Sequence, residues 1–247
     1  MRILVVNCNT SARMTAGITA VARAGARPGT EIVGTQPSWG PESAEGYYES
    51  FITAAAVLDV LSTLTEPVDA VVMAGFGEHG REGARQLLEV PVVDITEAAA
   101  LVACLLGHKF GVVTTVRSAL APIEHSLLTA GLWSRCAGVR ASDLDVLDLE
   151  DDIEHTATAL IAQGRILLEQ GADVLVLGCA GMGSLDERVQ QALGVPVIDG
   201  VAAAVNLCEV LVGLGKTTST AGPYARPSAT KSRPGWPVSR NLPTGAS

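Results

Sequence analysis

The sequence is poor in charge and poorer still in positive charge. Only 17% of its 247 residues are Asp, Glu, Lys or Arg, and 26 acidic groups face 17 basic ones, for a formal net charge of −9. Phosphate backbones are held by clustered Lys and Arg, so no nucleic-acid partner is expected. The five cysteines, Cys8, Cys104, Cys136, Cys179 and Cys208, form no CxxC pair, keep no regular spacing and have no nearby His suited to a zinc cage. Neither a disulfide framework nor a metal site is expected from them. No apolar run reaches the roughly 18 to 20 residues of a membrane span, and Met1 to Asn7 reads as a strand, not a secretory leader. These absences point to a soluble chain of a reducing cytoplasm, with no membrane partner. What is present is apolar: 48% of residues, enough to offset ordering entropy and to exclude disorder as the main state. The charge is also lopsided. After residue 215 there are five basic groups and no acidic one, so an acidic body carries a basic tail.

An internal repeat organises the chain. Asp69-Ala-Val-Val-Met-Ala-Gly75-Phe-Gly77 leads through a polar stretch to Val90-Pro-Val-Val-Asp94 and an Ala-rich segment. Asp173-Val-Leu-Val-Leu-Gly178-Cys179-Ala-Gly181 leads in the same way to Val195-Pro-Val-Ile-Asp199 and a second Ala-rich segment. Arg2 to Asn7 and Lys109 to Thr114 open the two copies, giving halves of 1–107 and 108–215 and a Pro/Gly/Ser/Thr-rich basic tail, 216–247. The tail is placed against the acidic body, on the N-terminal half, or against a neighbouring subunit. Short unbroken Val/Ile/Leu runs alternating with helix-compatible stretches predict strands buried on both faces, hence parallel sheets. The fold class is α/β, with two pseudo-symmetric doubly wound halves and the functional site in the cleft between them.

Ligands in such folds sit beyond the carboxyl ends of the strands, which singles out Asn7 to Ser11, Gly75 to Arg81, Thr114 to Ser118 and Cys179 to Gly183. Cys179 stands between small residues at a strand-to-helix turn. A helix N-terminus there is expected to favour its thiolate and bring its pKa toward neutrality, as a general acid/base requires. Cys8 also falls at a strand end and is expected to line the cleft, while Cys104, Cys136 and Cys208 read as packing residues. Gly75-Phe-Gly77 and Gly178-Cys-Ala-Gly181 do not have the spacing of a dinucleotide fingerprint, so no nucleotide cofactor is expected.

The Asn7-x-Asn9-Thr10 strand end, the duplication, Gly178-Cys179-Ala180-Gly181-Met182 and Gly194-Val-Pro-Val-Ile-Asp199 resemble the aspartate/glutamate racemase superfamily, within it the hydantoin and allantoin racemase branch. The resemblance covers roughly residues 1–220. It implies a cofactor-independent homo-oligomeric enzyme without metal, in which one cysteine from each half faces the carbon beside a carbonyl. One takes the proton and the other returns one from the opposite face. It further implies that Asn7, Thr10, Ser11, Thr114 and Thr115 hold the substrate carbonyl, with Gly75, Phe76, Gly77, Gly178, Ala180 and Gly181 around the substrate. Donors of this kind stabilise an enolate oxygen.

The chain departs from that pattern where it matters: Gly75 occupies the position that matches Cys179. Three readings stay open. A substitute acid/base comes from Gly77-Glu78-His79-Gly80-Arg81, with His79 apt by its ordinary pKa near 6.5 and Glu78 equally suited to capping the following helix. Alternatively one thiol works on one face only, as in arylmalonate decarboxylase, a relative with a Gly in the first half and a single Cys in the second. In the third, the chain has kept the cleft as a small-molecule binder and lost the chemistry. Arg81 reads as a ligand for an anionic group or as a solvent-facing residue. Asp94 and Asp199 read as bonding loop amides, and Glu150-Asp151-Asp152 as a solvated helix start.

Overall fold

The computed structural model describes residues 1–149 and 151–228; Glu150 and the tail beyond 228 lie outside the described residues. The first half contains strands β1 (Arg2–Asn7), β2 (Glu31–Thr35), β3 (Ala70–Ala74) and β4 (Val92–Asp94), with helices α1 (Ala12–Gly25), α2 (Tyr47–Ser62), α3 (Arg81–Leu87) and α4 (Ile95–Leu106). The second half repeats this plan with β5 (Phe110–Thr114), β6 (Cys136–Ala141), β7 (Val174–Leu177) and β8 (Val197–Asp199). Its helices are α5 (Leu120–Thr129), α6 (Ile153–Glu169), α7 (Asp186–Leu193) and α8 (Gly200–Gly213).

Each half forms one parallel four-stranded sheet, ordered β2-β1-β3-β4 and β6-β5-β7-β8. The central strands are unbroken apolar runs, and Ile3, Val5, Val71, Val72, Val112 and Val176 are fully buried. Side chains on both faces of these strands enter the core, as a sheet covered on both sides demands. The repeated aspartates mark repeated joints. Asp69 accepts from the amide of Arg2, and Asp173 from those of His108 and Lys109, so each fixes the entry of a central strand. Asp94 accepts from the amides of Thr96 and Glu97, and Asp199 from that of Ala202, each capping the helix that follows. Asp152 likewise caps α6 through the amide of His155.

Packing does not divide where the repeat does. Helix α4, at the end of the first half, lays Ala99, Ala100 and Ala103 on the second sheet against Phe110, Val112 and Val174. Helix α8 returns to the first sheet, where Val201, Ala204 and Cys208 pack with Ile3, Val5 and Val72. The two halves thus exchange their last helices, which fixes one sheet against the other. Residues 216–228 run along the first half: the amide of Thr218 donates to the Glu89 carbonyl at 2.7 Å and its hydroxyl to Val90 O at 2.7 Å. Gln86 Nε2 donates to Ala225 O at 2.8 Å, Tyr224 OH bonds Glu82, and Arg226 pairs with Glu89. Among the described residues no helix is long and apolar enough to cross a membrane, and no group of three His, Cys, Asp or Glu is arranged to hold a metal.

Candidate active site

The parallel registers set Asn7 beside Ala74 in one sheet and Val113 beside Leu177 in the other. The residues that follow these pairs, Cys8 and Gly75 from the first half and Thr114, Gly178 and Cys179 from the second, wall a cavity of about 40 Å³ between the halves. That is room for little more than a water, so the cleft is narrow in this conformation. Asn7, Asn9, Thr114 and Thr115 contribute amides and hydroxyls to its lining, and Phe76, Met14 and Val146 contribute apolar surface. No Lys, Arg, Asp or Glu lines it. A second cavity of about 380 Å³ adjoins it, with Met14 and Val146 common to both.

Cys179 sits at the N-cap of the turn Ala180–Leu185 with extended backbone. This turn is 3-10, and the α-helix begins only at Asp186. The expected near-neutral thiol is therefore not found. Burial pushes Cys179 up to about 11, and the amide of Gly181 offsets this only in part. A short 3-10 turn aligns few peptide dipoles, while desolvation acts directly on the thiolate. Cys8, half-buried in the same cleft, is pushed up to about 12 by the same cause, with the neighbouring Cys179 adding to it.

Gly75 is tightly enclosed. A Cβ on it would lie 2.4 Å from His79 Cδ2, 2.7 Å from Cys8 Cβ and 3.0 Å from Cys8 Sγ. The space that a first-half side chain would fill is occupied by Cys8 and His79. His79 is 5% exposed and lines the cleft; burial lowers its pKa to about 4, keeping the ring neutral. Glu78, one residue earlier, points the other way. Its Oε1 accepts from the amides of Gly80 and Arg81 at 2.8 and 2.9 Å, capping α3, and it lines a separate outer cavity with Arg81 and Tyr224. Gly77 (φ 124°) and Gly80 (φ 94°) bracket the pair, and only glycine takes such angles without strain. Arg81 neither faces solvent nor enters the cleft: it is 2% exposed and lies among Glu78, Glu82, Asp94 and Glu97.

Of the other residues singled out, Gly75, Phe76, Thr114, Thr115, Gly178 and Ala180 line the cleft with Asn7. Asn7 is committed to its own loop, donating to Asn9 Oδ1, Ser11 O and Thr15 Oγ1. The Thr114 hydroxyl donates to the Gly178 carbonyl. Thr10, Ser11 and Gly181 line the adjoining cavity instead; Ser11 caps α1 and Thr10 bonds the Pro41 carbonyl. Gly77 is drawn away, its carbonyl accepting from Thr96 and Ser126. Asn9 falls in the Asn7 to Ser11 segment singled out above, and Met14, Ala44, Ala74, Ala119 and Val146 complete the lining without having been foreseen. Asn9 carried a signal, as the second Asn of the strand-end motif; Met14 comes from the first turn of α1, Ala74 from the end of β3, and the others from turns and loops with no distinctive sequence.

The Asp/Glu/Hydantoin racemase family model matches residues 3–208. The hydantoin racemase of Pseudomonas sp. (strain NS671) is 38% identical over 229 residues, 92% of this chain and 92% of that one. Among solved structures, allantoin racemase from Pseudomonas fluorescens superposes with TM-score 0.93 at 52% identity, covering 94% of this chain and 100% of that one. The allantoin racemase from Klebsiella pneumoniae gives 0.91 at 40% identity, covering 97% and 99%. This duplicated α/β chain, with Cys179 at the end of its seventh strand, is an isomerase belonging to the Asp/Glu/Hydantoin racemase family.

Proposed function

We propose that the protein racemises a neutral cyclic ureide, a 5-substituted hydantoin or allantoin, by proton transfer at the ring carbon beside a carbonyl, without a cofactor. The observation that carries this is the uncharged cleft between the two sets of strand ends, lined by Cys179 together with the hydroxyl and amide residues Asn7, Asn9, Thr114 and Thr115. As thiolate, Cys179 takes the proton from carbon; the electron pair moves onto the carbonyl oxygen; a second group returns a proton to the other face. The Gly181 amide favours the thiolate. On this reading Thr115 and the Asn9 amide, both in the cleft lining, donate to the developing oxyanion.

With glycine at position 75, the second acid/base falls to the loop that begins there. His79 lines the cleft in this conformation. Glu78 has the carboxylate for the task, but in this conformation the Gly80 and Arg81 amides hold it outside the cleft lining. Relatives named hydantoin and allantoin racemases support the substrate class. We also read the enzyme as a cytoplasmic homo-oligomer; Leu101, Leu105 and Leu106 on α4 and Leu214 beyond α8 present exposed apolar surface that a second copy would cover.

The test is an enantiopure 5-substituted hydantoin incubated with enzyme in D₂O. Loss of optical rotation together with deuterium at C5 is expected. Deuterium with configuration retained assigns one-face chemistry, as in arylmalonate decarboxylase, and neither change overturns the reading. Cys179→Ser lowers turnover by about 10²- to 10⁴-fold. Glu78→Gln and His79→Gln, each assayed from both enantiomers, decide which side chain serves the second face.

A further inference from the structure

We infer that His79 is a specificity-determining residue: its Nδ1 accepts a hydrogen bond from a ring N–H of the substrate, so that the cleft selects ureides carrying an unsubstituted N–H. This rests on the reading of the cleft as a ureide site. His79 Nε2 lies 3.3 Å from the carbonyl oxygen of Phe76. A carbonyl oxygen can only accept, so Nε2 carries the proton of the neutral ring and Nδ1 carries a lone pair. That lone pair is buried and has no hydrogen-bond partner among the described residues. Buried acceptors of native proteins are normally paired, and an orphan in the wall of a cleft marks a place for a donor from outside the chain.

Two further observations fix what that donor is. The imidazole is in the wall because position 75 has no side chain: its Cδ2 stands 2.4 Å from where a Gly75 Cβ would be. The cleft lining around it contains no charged group, so the complementary donor is neutral. A cyclic ureide offers such a donor on the ring atoms flanking its carbonyls, whereas a carboxylate or an ester offers acceptors alone. A site built to bond an N–H rejects the analogue without one, because the site's polar atom is then left unpaired. The acceptor also orients the ring, which decides the face of the stereocentre that Cys179 meets.

The experiment compares 5-methylhydantoin with its N1-methyl and N3-methyl derivatives, following C5–H exchange in D₂O by proton NMR. For the unaltered enzyme one of the two methylated isomers is expected to lose at least tenfold in kcat/KM relative to the parent. His79→Phe, which keeps a ring and removes the acceptor, lowers kcat/KM for the parent to about that of the disfavoured isomer and erases the preference. His79→Asn, whose Oδ1 lies near the position of Nδ1, restores part of it, so misfolding of the Phe variant cannot be mistaken for the effect. A preference unchanged in His79→Phe overturns this inference alone. An equal loss on parent and methylated compounds confined to one enantiomer assigns His79 to proton transfer and overturns it as well. If the unaltered enzyme exchanges none of the three, the ureide reading falls with it.

Discussion

Placing cysteine at position 75 would restore the pair of facing thiols that the repeat leads one to expect, and the geometry says that it will not fit. An ideal Cβ there meets His79 Cδ2 at 2.4 Å, Cys8 Cβ at 2.7 Å and Cys8 Sγ at 3.0 Å, before any sulfur is added. Carbon atoms in contact sit at roughly 3.5–4.0 Å, so two neighbours must move by about an ångström inside a closed wall. Overpacking of this kind costs about 1–3 kcal/mol. For a chain of this length that lowers the melting temperature by roughly 2–12 °C. Cys8→Gly removes two of the three contacts. The double variant Gly75→Cys with Cys8→Gly is therefore expected to recover stability beyond the sum of the single changes, with a coupling of about 0.5–3 kcal/mol. Urea denaturation of the four proteins measures it. A Gly75→Cys protein as stable as the parent, or single effects that simply add, would refute the claim that Cys8 and His79 fill the place of a first-half side chain.

Other expectations can be checked with less. Alkylation of Cys179 by iodoacetamide in the free enzyme should still be rising at pH 10, because a thiol pushed from 9.0 to about 11 holds about a hundredfold less thiolate at pH 8 than an ordinary cysteine; a plateau by pH 8 would contradict the burial. The same raised value means that the stability associated with this thiol is intact below pH 9 and is lost as pH rises from 9 toward 11. Arg81→Met strands the buried Asp94 and should destabilise by about 3–5 kcal/mol at pH 8. Asp94 is held up to about 7 against 3.8, so its contribution is whole below about pH 4 and is lost as pH rises toward 7. The Arg81→Met defect should accordingly shrink at pH 5 in thermal melts, and a defect that does not change with pH would count against the pairing. Removing residues 217–228 breaks the Thr218 and Gln86 bonds and the exposed Arg226–Glu89 ion pair, for a loss of about 1–3 kcal/mol by urea denaturation.

The strands were legible because their signal is local. Ile3 to Val6, Val71 to Met73 and Val174 to Leu177 are unbroken apolar runs bounded by turn residues and buried on both faces. The aspartate pairs were legible for the same reason, since a cap is set by the amides next to it. The exchange of α4 and α8 was not. Both are Ala-rich and apolar on several faces, so their periodicity names no partner sheet, and which one they cover follows from the path of the whole chain. Glu78 shows the limit most plainly: as the third residue before a helix turn it suits a cap and a catalytic acid equally, and only the direction of its carboxylate separates the two.

The crowding at Gly75 became visible one step further on. Cys8 and Gly75 are 67 residues apart, and no property of either suggests the other. Once β1 and β3 pair in parallel with Asn7 opposite Ala74, the next residue of each strand must meet, and the small residue and the thiol become a single packed unit. The pKa of Cys179 has the same origin. Read along the chain, its neighbours are small residues and a helical turn, whose dipole is worth about 0.3–1 kcal/mol toward the thiolate. Read in space, it lies in a closed wall that moves the thiol from 9.0 to about 11, which corresponds to roughly 3 kcal/mol against the thiolate. The larger quantity is the one that depends on what the other half of the molecule closes over it. Reactivity at this cysteine is therefore governed by the desolvation around it more than by the turn on which it sits.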